Sequence, residues 1–255
     1  MFQMRRINAP LSPLYQPLLI LYESVEQWHG SLQGISCQRG CSACCTSQVT
    51  ATEVEAALIH EHLIRNEITL DLLLPASNCP AAAYTTNEFA EACLKKIELE
   101  EMGEGDFPPL QERCSFLNSA EECSIYQVRP LMCRLFISLG PCHSTGSATL
   151  PEELLTINVA LQQILEHMCA GHRWGSLAAL MELFIGKNEK KQASESLRVC
   201  KTLPGFLLPP EELKEVDQQI QTLFSVSKDG KFLSDFIDEN FLREKLYPKN
   251  GVFPF

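Results

Sequence analysis

Apolar residues recur along most of this chain at helical spacing. Ser12 followed by Pro13 is a helix-opening pair. Leu18, Leu21, Tyr22, Val25, Trp28 and Leu32 then repeat so as to bury one face of a first helix. Gly34 and Gly40 break the pattern, and VTATEVEAALIHEHL restarts it with Thr52 and Glu55 at capping-box spacing. An aperiodic run from Pro75 to Thr86 follows, and NEFAEACLKKIELEEM then reads as a helix ending near Gly103. Further on, the spacing predicts helices over Pro151–Cys169, Ser176–Ile185, Pro210–Phe224 and Lys231–Lys245. Only CSFL and CSIY, on either side of the polar turn NSAE, are β-like, and they predict a small hairpin between cysteines.

The expected fold is therefore mainly α: a helical single domain with a cysteine-rich core and a small β-hairpin. Residues 1–145 carry the first helix and the cysteine-rich region, and residues 146–255 form a helical extension packed on it. Internal repeats and low-complexity segments are absent.

Composition narrows the function. The 255 residues are 45% hydrophobic, enough for a core that needs no staples. A formal charge of −11, without a Lys/Arg-rich stripe, argues against a nucleic-acid partner. Arg5 and Arg6 precede LSPLYQPLLILY, but Pro13, Gln16 and Pro17 interrupt that apolar run and no small-x-small cleavage site follows. A cytoplasmic location is expected. No stretch reaches the ~18 consecutive apolar residues that a membrane-spanning helix requires. The GxSxG, P-loop, GxGxxG and HExxH signatures are also missing.

The chemistry lies in twelve cysteines. In a cytoplasmic chain, thiols crowded as CQRGCSACC fit metal binding better than a disulfide framework. On a helix Cys37, Cys41 and Cys44 would share one face, although Gly40 favours a tight turn that also converges them. Cys45 points elsewhere than Cys44 in either geometry, so it completes a site from another side or serves a second ion. Cys114, Cys123 and Cys133 form a second group, with Cys142 trailing. Eight thiolates suffice for two four-ligand sites or for one larger assembly. Adjacent cysteines favour an iron–sulfur cluster, [4Fe–4S] in the first instance, over the separated knuckles of zinc. Arg129 and Arg134 flank Cys133; they either lower thiol pKa values and tune the metal or pair with surface carboxylates. Cys79, Cys93, Cys169 and Cys200 read as buried apolar residues. His60 and His62 read as surface positions, His143 as a loop residue, and His167 and His172 as a helix end where imidazole meets the dipole.

The two motifs together, CxxxCxxCC at Cys37–Cys45 and CSFLNSAEECSIYQVRPLMCRLF, resemble the YkgJ-type cysteine-cluster family. Cys37, Cys41, Cys44, Cys45, Cys114, Cys123, Cys133, Tyr126, Arg129, Pro130 and Arg134 fall on its pattern. Ser115, where proline is common, and the long stretch between Asn66 and Arg113 depart from it. The resemblance covers Cys37 to Phe136 and implies a zinc- or iron-chelating domain, often described as an iron–sulfur protein. A role in electron transfer or metal handling, with a protein redox partner, follows from it. A flagellin lysine N-methylase shares the CxxxCxxCC signature, which makes cluster-dependent methyl transfer an alternative, and a structural zinc module for protein interaction is another. The same three-cysteine spacing occurs in radical S-adenosylmethionine enzymes, but there it follows a barrel strand, not a helix.

Overall fold

The computed structural model describes residues 12–37, 40–68, 84–95, 113–142, 148–185 and 197–247. Its described residues hold eight α-helices and two small antiparallel sheets, so the mainly α expectation holds. No described helix is long and apolar enough to cross a membrane.

Helix α1 (Tyr15–Ser31) follows a short 3-10 turn over Ser12–Leu14 and buries the predicted stripe of Leu18, Leu21, Tyr22, Val25 and Trp28. Strand β1 (Thr50–Thr52) runs directly into α2 (Glu53–Arg65). The capping box at that junction is formed as its spacing requires. The Glu55 amide donates to Thr52 Oγ1 at 3.2 Å and the Thr52 amide donates to Glu55 Oε2 at 2.8 Å, satisfying two orphan donors of the first turn. Helix α3 (Thr86–Leu94) starts with a second capping box, Thr85 and Glu88. The amides of Thr86 and Asn87 also donate to the buried carboxylate of Glu166, at 2.8 and 3.0 Å. The predicted continuation of this helix to Gly103 lies outside the described residues.

Helix α4 (Leu131–Leu135) is a single turn after Pro130, and α5 (Glu152–Met168) is the long helix expected from Pro151. Strand β2 (Arg173–Ser176) leads into α6 (Leu177–Ile185), and β3 (Arg198–Val199) completes a sheet in the order β1-β2-β3. Thr50 pairs with Ser176 and Thr52 with Trp174, while Arg173 pairs with Val199. Helix α7 (Leu213–Ser225) buries Val216, Ile220, Leu223 and Phe224. The helix predicted over Lys231–Lys245 divides instead: β4 (Ser227–Lys228) and β5 (Lys231–Phe232) form a hairpin, and α8 spans Glu239–Leu246. Asp229 and Gly230, with φ of 54° and 74°, supply the paired left-handed residues that a two-residue hairpin demands.

One hydrophobic core runs from Leu18 on α1 to Leu246 on α8. In it α1 packs on α4 and α7, α2 on α6, and α3 and α7 on α5. His60 belongs to this core and not to the surface: it is 1% exposed and stacks on Phe184 at 5.6 Å. The apolar face of α2 is wider than its aliphatic residues alone suggest. His167 likewise stacks on Phe241 at 4.8 Å, and burial holds its pKa below the usual histidine value, so a neutral ring replaces the expected charge–dipole contact.

Candidate metal centre

The first cysteine loop hangs between α1 and β1. Ser36 pins its start, with its amide donating to Ser138 O at 2.8 Å and its hydroxyl to Leu139 O at 3.3 Å. Gly40 adopts φ +88°, a left-handed conformation that breaks any helix through Cys37–Cys44 and is strained for other residues. Turns then carry the chain through Cys44 and Cys45 into β1. Cys41 and Cys44 are exposed; Cys37 and Cys45 are half-buried.

The second loop docks directly on the first. The Cys114 amide donates to Cys45 O at 3.0 Å, and Thr46 pairs with Arg113 in an isolated antiparallel bridge. Glu121 ties the loops together from above, accepting from Ser42 Oγ at 2.7 Å and pairing with Arg113 at 3.1 Å. Between Cys114 and Cys123 the expected hairpin is reduced to its minimum: one bridge joins Leu117 to Cys123, and Asn118 Oδ1 accepts from the Ala120 and Glu122 amides to shape the turn. Cys133 comes from α4, whose first amide, Leu131 N, donates to Glu55 Oε1 at 2.7 Å. The capping carboxylate of α2 thus also positions a cysteine-bearing helix.

These segments enclose a cavity of about 220 Å³ lined by Cys37, Cys41, Cys44, Cys45, Cys114, Cys123 and Cys133. Seven of the eight cysteines singled out from the sequence therefore meet at one place. Cys142 is half-buried and does not line the cavity, but it is among the thiols whose charge reaches Cys37. Among the described residues no group of three or more His, Cys, Asp or Glu side chains converges at metal-ligand distance. The fit to a metal lies in the chemistry of the donor set, since soft thiolates select zinc, copper(I) or iron–sulfur clusters.

Burial raises the pKa of Cys37, Cys114 and Cys123 above the usual thiol value, and backbone hydrogen bonds from Ser138, Phe116 and Ile125 oppose it. Cys133 is also raised, by burial first and then by the neighbouring charges of Cys114, Cys123 and Glu55. Cys44 and Cys45 are pushed apart by the hydrogen bond between them, which raises Cys44 and lowers Cys45. A metal bound here would replace these protons and supply the positive charge that stabilises the thiolates.

Both arginines lie on the cavity wall and both pair with Glu26. Arg129 stacks over the Tyr126 ring at 3.9 Å, and Arg134 over Tyr22 at 4.0 Å. Arg129 also places positive charge near Cys123 and Cys133. Two further cavity residues escape a reading of the sequence. Glu26 is one, and His29 is the other: its Nε2 is buried without a partner among the described residues, and burial lowers its pKa to about 4. Their i, i+3 spacing on α1 places them on one face, but only the cysteines opposite give that face meaning. Of the remaining thiols, Cys169 and Cys200 are buried in the core and Cys93 is half-buried on α3. Cys79 and His143 lie outside the described residues.

A helical chain with seven thiols around one cavity falls in the class of metal-chelating proteins. The family model CxxCxxCC, described as "Putative zinc- or iron-chelating domain", matches residues 36–170, more than half of the 255 residues. The chain belongs to this family. It carries three residues between Cys37 and Cys41 where the family's name has two. The match also extends past Phe136 to take in α5. No curated protein and no solved structure matches the chain.

Proposed function

We propose that this protein holds an iron–sulfur cluster, in the first instance [4Fe–4S], and serves electron transfer or the handling of iron and clusters in the cytoplasm. The observation that carries this reading is the gathering of seven thiols around a cavity of about 220 Å³. A water needs only ~10–15 Å³ of such space. A lone tetrahedral zinc sits ~2.3 Å from each sulfur and has no use for so large a volume. When bound, a cluster supplies one-electron chemistry at a potential set by charge, hydrogen bonds and solvent access. Arg129 and Arg134 supply the charge and the Phe116 and Ile125 amides the hydrogen bonds. Tyr126 and Phe136, on the cavity wall and 45% and 46% exposed, offer an apolar rim to a protein redox partner.

Anaerobic purification followed by an absorption spectrum and iron, sulfide and zinc analysis tests this. Brown protein with iron and sulfide near equal ratio is the expected result. Colourless protein containing zinc, without iron or sulfide, would overturn the cluster and leave a structural zinc module.

A further inference from the structure

The two cysteine-bearing loops meet at two junctions that differ in kind. At their base the join is backbone: the Cys114 amide donates to Cys45 O at 3.0 Å, and Thr46 pairs with Arg113. Farther out the join is made by side chains. Glu121 Oε2 accepts from Ser42 Oγ of the first loop at 2.7 Å, while Oε1 pairs with Arg113 at 3.1 Å. Arg113 precedes Cys114 in the second loop, so it aims the carboxylate, and Ser42 carries the bond across. The side chains of Arg113 and Glu121 are 60% and 54% exposed, so water competes for this junction as it does not for the backbone one.

Glu121 is an unexpected residue for its place in the turn. The Asn118 amide donates to Glu122 O at 2.9 Å and the Glu121 amide donates to Asn118 O at 3.0 Å, a tight closure that holds Glu121 at φ of 64°. Such left-handed backbone penalises a residue with a Cβ and suits glycine. A local preference overruled in this way points to a use for the side chain, and the use on view is the bond to Ser42. On the other loop Gly40, two residues before Ser42, is left-handed as well, and a Cβ there would meet no described atom within 4 Å beyond its chain neighbours. The first loop therefore has a hinge with open space beside its half of the bond.

Gly40, Cys41 and Glu121 all line the cavity. Cys41 and Cys44 are exposed, whereas Cys114, Cys123 and Cys133 are half-buried. We infer that Ser42 and Glu121 form a latch across the cavity: when their bond parts, the first loop swings about Gly40 and opens Cys114, Cys123 and Cys133 to an incoming metal ion or thiol reagent. Arg113 is a positioning residue for the latch. One solvent-exposed bond is weak, which suits a closure that must part again. The inference concerns access alone and is indifferent to which metal the thiols take.

Timed labelling of the full-length chain with N-ethylmaleimide, read cysteine by cysteine by mass spectrometry under one metal and reductant condition, tests it. Glu121→Gly removes the latch and relieves the turn, and Ser42→Ala removes the other half of the bond. Each should label Cys114, Cys123 and Cys133 roughly fivefold faster, with Cys41 and Cys44 unchanged. Arg113→Ala should give about twofold. The double variant Glu121→Gly with Ser42→Ala should be no faster than either single one, because both remove the same bond. Unchanged labelling of the half-buried thiols in Glu121→Gly or Ser42→Ala would reduce Glu121 to a turn residue and overturn the latch, and so would multiplying effects in the double variant. Equal acceleration at Cys169 and Cys200, which lie in the core, would mean loosening of the whole molecule and overturn it too. Zinc in place of iron in the isolated protein would defeat the iron–sulfur reading and leave this comparison untouched.

Discussion

Glu55 is the residue whose loss should cost the most for the least change in volume. Its side chain is buried, and it accepts four hydrogen bonds: Thr52 N at 2.8 Å, Thr52 Oγ1 at 3.1 Å, Leu131 N at 2.7 Å and Tyr22 Oη at 2.9 Å. Glu55→Ala orphans the Leu131 amide and the Tyr22 hydroxyl in the core and breaks half of the capping box. Each buried donor left unpaired costs about 1–3 kcal/mol, and a lost cap adds about 1 kcal/mol. Burial raises the pKa of Glu55, so removing a desolvated carboxylate returns part of that sum. A net destabilisation of about 3–4 kcal/mol follows, a large fraction of the ~5–15 kcal/mol that holds a typical domain together. The thermal midpoint should fall by on the order of 10 °C.

The control is Tyr22→Phe, which removes a donor instead of stranding one and should cost about 1 kcal/mol. Combined with Glu55→Ala it should add less than its single effect, because the hydroxyl orphaned by the first change is gone. Midpoints from far-UV circular dichroism, measured under one metal and reductant condition, decide the matter. A Glu55→Ala loss below about 1 kcal/mol, or strict additivity with Tyr22→Phe, would refute the orphaned-donor reasoning.

Two further outcomes can be checked on the same footing. Burial lowers the pKa of His60, whose Nε2 has no partner among the described residues, so the folded state holds it neutral while the unfolded chain protonates below ~6.5; its contribution is present above that pH and is lost as pH falls through the folded value. His60→Phe should therefore flatten the fall in unfolding midpoint on acidification below pH ~6.5, and an unchanged slope would contradict the burial argument. Arg134 donates to the carbonyls of Arg129 and Gln127 at 3.1 and 2.8 Å while stacking on Tyr22. Arg134→Lys keeps the charge but not the fork and should cost about 2 kcal/mol in a urea titration; a neutral result would mean that charge alone matters there.

The legible parts of the fold were those decided within one or two helical turns. The buried stripe of α1 and the Thr52–Glu55 box need only neighbours three and four residues away, and both stand where the spacing placed them. Strand β1 did not announce itself, because three residues acquire strand geometry only by pairing with Arg173–Ser176 far along the chain. The Asp229-Gly230 pair was a readable hairpin signal. The helix expected over Lys231–Lys245 begins only at Glu239, because Leu233–Asp235 form a 3-10 turn after the hairpin. Ligand candidates were legible because metal chemistry restricts residue type. Their surroundings were not, because His29 and Glu26 gain a role only from what faces them.

How the centre is framed follows from which contacts are local and which are distant. The first cysteine loop has no core of its own, but β1 at its end is held by β2, and Leu177, at the start of α6, donates its amide to Val49 O at 2.8 Å and lines the cavity. Cys133 is placed by α4, which is placed by Glu55 at the start of α2. The cysteine-bearing segments are thus joined to one another by a few backbone bonds and to the rest of the molecule by elements that are deeply buried. Thiolate–metal binding contributes directly to the free energy of ordering the segments that carry the ligands. The helical core has its own apolar burial to stand on, and a metal bound by the loops of Cys37–Cys45 and Cys114–Cys123 would add to their stability. Residues beyond Pro151 therefore act on the cysteine-lined cavity by fixing the strand from which the first loop departs.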